Sequence, residues 1–127
     1  MRNVLAGSIG VALLVALAAP ASAATETVKG RIVDQSCYMK DMKNNTGNDH
    51  KMPADMAGCA VACAKKGNQM ALLTDDGKVY SLSGGLAASM NAKIVPHVGH
   101  VVEVTGDVVT NAGKMTITAA DLKMVSR

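Results

Sequence analysis

A chain without Phe or Trp has few large side chains with which to fill a core, and Tyr38 and Tyr80 are the only aromatic residues here. The interior must be built from Val, Ile, Leu, Met and Ala. A small core of that kind commonly needs a staple from disulfides or a metal ion. The same shortage excludes a stacking platform for nucleic-acid bases. Charge points the same way: 13 basic side chains face 10 acidic ones with no Lys/Arg block, so no nucleic-acid footprint is visible.

The first residues read as an export signal. Arg2 supplies a positive start, residues 4–19 form an apolar run, and Pro20-Ala21-Ser22-Ala23 is a small-residue cleavage site, with the cut expected after Ala23. The run is short for a bilayer span, which needs about 20 apolar residues, and no second hydrophobic segment follows. Residues 1–23 are thus expected to be a signal peptide, and 24–127 one small domain with a net charge of +2. The expected location is periplasmic or secreted, with no transmembrane segment after cleavage.

Patterning predicts a mainly β domain. Residues 27–34 read as a strand with Val28, Gly30 and Ile32 on one face and Lys29 and Arg31 on the other. Residues 40–49 are polar and read as a long surface loop. A helix is expected over 53–66, opened by Pro53 and closed by Gly67. On it Met52, Met56, Cys59, Ala60 and Cys63 share one face. Residues 70–74 and 78–82 flank Asp75-Asp76-Gly77, a hairpin signal that also accounts for the acidic pair. A short helix is expected over 86–93, a long strand over 100–110 with a bend at Gly106, an antiparallel return over 114–118, and a last extended segment over 122–125.

Strand, insert with helix, strand, strand, helix, strand, strand is the order of an OB-type barrel with five strands. The run Val98-Gly99-His-Val-Val-Glu-Val-Thr-Gly106-Asp-Val is similar to the fourth strand of small exported bacterial OB-fold proteins. Val28-Lys29-Gly30-Arg31-Ile32-Val33-Asp34 resembles their first strand. The resemblance spans roughly Thr27 to Val125 and implies fold, not activity. This chain departs from that pattern in the insert at 37–67, which lies in a connection that OB barrels commonly use for ligands.

That insert holds all three cysteines, Cys37, Cys59 and Cys63, with His50 and the methionines Met39, Met42, Met52 and Met56. Thiolate, imidazole and thioether are the donors of Cu(I) and, without the thioether, of zinc. Cys59 and Cys63 stand four residues apart, about 6 Å between Cα atoms on a helix, and their parallel side-chain directions suit a shared third partner better than a bridge to each other. Cys37 is the candidate third partner. Two arrangements follow. In one, Cys37 pairs with Cys59 or Cys63 in a disulfide and the other thiol is left over. In the other, the three thiolates converge on an ion, and His50, Met39 or Met42 completes the shell.

Packing competes for the methionines, above all Met52 and Met56, because a core without Phe needs flexible filler. His97 and His100 flank Val98-Gly99 and could approach one ion, but they read first as loop residues. No Cys-x-x-Cys, nucleophile elbow, phosphate loop or paired acid and base is visible, which speaks against an enzyme. Three functions remain open. The first is an exported soft-metal-binding protein, with Cu(I) ahead of zinc, for storage, transfer or sensing. The second is a disulfide-stapled module that binds a periplasmic protein, a glycan or a small ligand. The third is a thiol oxidoreductase.

Overall fold

The computed structural model describes residues 23–42 and 54–127, with only the backbone for 54–58. The expected signal peptide, apart from Ala23, lies outside the described residues, as do His50, Met52 and Pro53. The strands are β1 (Ala24–Asp34), β2 (Met70–Leu73), β3 (Val79–Ser83), β4 (Val101–Asn111), β5 (Lys114–Thr118) and β6 (Leu122–Ser126). Among the described residues two helices, α1 (Gln35–Lys40) and α2 (Ala54–Lys65), lie between β1 and β2. Hydrogen-bonded neighbours follow the order β1-β2-β3-β5-β4, and β4 returns to β1, so that five strands close into a barrel. Only β3 and β5 run parallel. β6 pairs with the first half of β4 beside β5, which takes the second half.

Closure rests on β1, which serves two partners. Residues from Ala24 to Arg31 pair with β4, and those from Arg31 to Asp34 pair with β2. At the crossing a Cβ on Gly30 would sit 2.5 Å from the Leu73 carbonyl oxygen, so only glycine allows the strands to approach. Gly106 makes the second close contact, where a Cβ would lie 2.2 Å from the Thr118 carbonyl oxygen. Val28, Ile32, Val102, Val104 and Val108 alternate inward around these two glycines and are buried with Met70, Leu72, Leu82 and Ile117. Lys29 is exposed as expected, but Arg31 is buried, because the strands crossing at that position cover it.

The hairpin turns through Gly77 at φ +84°. Residues 86–93 do not form the single helix that their composition suggests. A 3-10 turn (Gly84–Ala87), a single turn (Ala88–Asn91) and a second 3-10 turn (Val95–His97) replace it. Ser89, Met90 and Asn91 have φ of +53°, +54° and +60°. The left-handed region costs an L-residue about 1–2 kcal/mol, so a tertiary contact must hold this segment. Asn91 supplies it. Its buried Nδ2 donates to the carbonyls of Ala64 and Asn68, both at 2.9 Å. Leu86 and Ile94 from this segment, with Ala64 of α2, join the main core.

A second, smaller cluster lies on the outer face of the sheet. Tyr38 of α1 covers Val33 and Ala71, with Leu73 and Val79 packed beside them. The helix α1 ends where the expected loop begins, so the chemistry-bearing insert starts on a packed element, and the expected loop beyond Met42 lies outside the described residues. Among the described residues no helix is long and apolar enough to cross a membrane. Gly106→Ala should destabilise the barrel by about 1–3 kcal/mol through overpacking. Urea unfolding of the variant beside the parent protein measures that loss.

Candidate metal centre

Asp34 ends β1 and caps α1. Its Oδ1 accepts from the backbone N–H of Cys37 at 2.8 Å, which satisfies an orphan donor of the first turn and places Cys37 in that turn. The Cys37 carbonyl in turn accepts from the Asp41 N–H at 3.1 Å. Cys59 and Cys63 come from α2. That helix ends in a turn where the Cys63 carbonyl accepts from the N–H groups of Lys66 and Asn68, each at 3.1 Å, and Gly67 adopts φ +80°. Asn91 holds the same end from the far side, so the position of Cys63 depends on it.

The three thiols lie in one neighbourhood, near enough to act on one another electrostatically. Cys59 is exposed, Cys37 and Cys63 are partly buried, and no disulfide is formed. Burial pushes the Cys37 and Cys63 thiols up from their ordinary value of 9.0. The negative charge of Asp34 pushes them the same way, as do a hydrogen bond to Asp34 and the neighbouring thiols. Asp34 itself is only 1% exposed, and its Oδ2 is buried without a fully formed hydrogen bond. The geometry is therefore a carboxylate at the floor, two half-buried thiols against it and a third thiol at the rim.

The sequence reading missed Asp34. An Asp three residues ahead of a cysteine, at the end of a strand, is an N-cap signal, and that was the clue available. The other expected donors fare differently. Met39 is 69% and Met42 66% exposed, and they line a separate recess with Tyr38, Lys40 and Asp41 that no cysteine lines. His50 lies outside the described residues. His97, which ends the second 3-10 helix, and His100, in the turn after it, sit edge to face with 5.9 Å between ring centroids. Among the described residues no three His, Cys, Asp or Glu side chains are grouped so as to hold a metal ion as they stand. An ion would have to draw the thiols in, and side chains at half-exposed and exposed positions can turn between rotamers to do so.

A thiol held above its unfolded value keeps its proton more tightly in the folded state. Its contribution to stability is complete below 9.0 and is lost as the pH rises through the folded value. The urea midpoint of the reduced protein should accordingly fall as the pH is raised above 9.0, and less so in the C37S/C63S double variant. In timed alkylation the exposed Cys59 should react first, with Cys37 and Cys63 slow at neutral pH. Asn91→Ala should cost about 1–3 kcal/mol, since it leaves two carbonyls without their donor, and should raise the alkylation rate of Cys63. Compared with known proteins, the chain matches no family model, no curated protein and no solved structure.

Proposed function

We propose that this is an exported protein with an OB-type barrel that captures a thiophilic metal ion through Cys37, Cys59 and Cys63. Cu(I) is the first candidate and Zn(II) the second, and the role is storage, transfer or sensing outside the cytoplasm. One observation supports the reading: thiols from two helices lie near enough to a buried carboxylate to feel its charge. Such a pocket is electronegative and keeps its thiols protonated until a cation arrives. A redox thiol needs the opposite, a value depressed by positive surroundings. The barrel contributes the fixed end of the site, through the last residue of β1. With Met39 and Met42 exposed and apart, the thiols are the sulfur donors for copper among the described residues.

A cleft favours a second reading, the binding module. Gln35 and Met39 from α1, Lys78 and Ser81 from the β2–β3 hairpin, and Lys114 and Met115 from the start of β5 line a space of about 410 Å³. These are the parts with which OB barrels hold ligands, and there a disulfide from Cys37 would only order the insert.

Competition titration of the reduced mature protein separates the two. One Cu(I) or Zn(II) per chain should be retained against a chelator, and Cys59→Ser or Cys63→Ser should each weaken retention by at least about tenfold. Retention of neither ion, with a single alkylatable thiol after isolation from an oxidising compartment, turns the reading to the module.

A further inference from the structure

The reading of the cysteines as metal ligands leaves the fourth donor unassigned and ranks Cu(I) ahead of Zn(II) on the thiols alone; the step below rests on that reading and revises its order of ions. We propose that Asp34 is itself a ligand, through Oδ2, and that the resulting set of three sulfurs and one carboxylate oxygen selects a divalent thiophilic ion, Zn(II) in the test below, over Cu(I).

The case begins with burial. Asp34 is 1% exposed, and Oδ2 has no fully formed hydrogen bond, while Oδ1 is committed to the Cys37 N–H at 2.8 Å. A buried carboxylate oxygen without a partner is costly, and buried charges are paired or coordinate metals. Among the described residues this carboxylate lies close enough to the Cys37 and Cys63 thiols to act on both, and the ion pairs of Lys78 with Asp76 and Lys93 with Asp121 lie elsewhere on the surface. The group that would satisfy Oδ2 is a cation held at the thiols.

Charge then sorts the ions. Three thiolates and one carboxylate carry four negative charges. A monovalent ion leaves three of them in a partly buried pocket, and a divalent ion leaves two, which lowers the cost of burial. Donor hardness acts in the same direction, because a carboxylate oxygen suits Zn(II) and adds little for Cu(I), which prefers sulfur. Binding forms three metal–sulfur bonds and one metal–oxygen bond, and the three thiol protons leave to water. The N-cap bond through Oδ1 can persist throughout, so ligation by Oδ2 leaves α1 in place.

Asp34→Asn separates ligand from bystander, because Asn caps a helix as well as Asp does. The reduced parent protein and the variant are titrated with Zn(II) alone and with Cu(I) alone against competing chelators, with helix content and thermal unfolding followed in parallel. A ligand role predicts Zn(II) binding weakened by about tenfold or more, with Cu(I) binding unchanged or tighter. If Asp34 only repels thiolates, its removal tightens both ions, and the inference is overturned while metal capture stands. Capture of Cu(I) without Zn(II) by the parent overturns it in the same way. Capture of neither ion overturns both. Should the variant fail to fold, X-ray absorption of the Zn(II)-loaded parent decides: a shell of three sulfurs near 2.3 Å and one oxygen at about 2.0–2.2 Å is expected, and four sulfurs or a nitrogen from imidazole in place of oxygen overturns the assignment.

Discussion

The structure hangs on the point where β1 changes partners. Arg31 stands opposite Val101 of β4 and also opposite Leu73 of β2, so the two halves of the barrel meet at one residue. A strand can do this only if it bends and lets a neighbouring backbone come close, and Gly30 provides the gap. Beyond the crossing β1 has left β4 behind, and the turn after the second 3-10 helix fills the vacated edge. Ile32 donates its N–H to the His100 carbonyl at 3.1 Å and accepts from the Gly99 N–H at 2.9 Å. Asp34 follows two residues later, at the end of the barrel and under both helices. The place of the thiol site is thus a consequence of barrel closure.

The chemistry of that site turns on a buried carboxylate. A disulfide between Cys37 and either cysteine of α2 would consume thiol protons that now face Asp34. Oδ2 would then face sulfur with no thiol proton to approach it, while Oδ1 kept the Cys37 N–H, and an unsatisfied buried polar atom is costly for a fold. A cation removes the difficulty and a proton reduces it; a disulfide makes it worse. The raised thiols tell the same story from the other partner, since burial and a negative neighbour both oppose thiolate. Such surroundings oppose thiolate formation at both cysteines.

Local signals in the chain account for much of the barrel. Asp-Gly between two apolar runs marks the β2–β3 hairpin, Asn111-Ala112-Gly113 marks the next turn, and the inward alternation of Val102 and Val104 marks the core face of β4. Long-range contacts account for what was misread. Residues 86–93 have helical composition, but Asn91 earns more from the carbonyls at the end of α2 than from its own helix, and three left-handed residues follow. Arg31 looks like an outward residue by alternation alone and is buried because two strands share it. The cysteines could be grouped by spacing. Asp34 could not be, because its burial depends on α1 and α2 closing over a strand end that reads as an ordinary turn.

The two halves of the site differ in how they are held. Cys37 stands on a turn capped by Asp34 and packed through Tyr38 against the sheet, so barrel closure fixes it directly. Cys59 and Cys63 stand on a helix of 12 residues. A helix of about that length is marginal on its own in water. It is held by the burial of Ala60 and Ala64, small residues that let it approach the barrel, and by the Asn91 bonds at its end. Any cation that bridges Asp34 and Cys63 therefore joins a strand tied into the barrel to a helix that depends on borrowed contacts. The stabilisation that binding adds by mass action falls on α2, and an element ordered in part by its ligand can couple the presence of an ion to the shape of the surface around it.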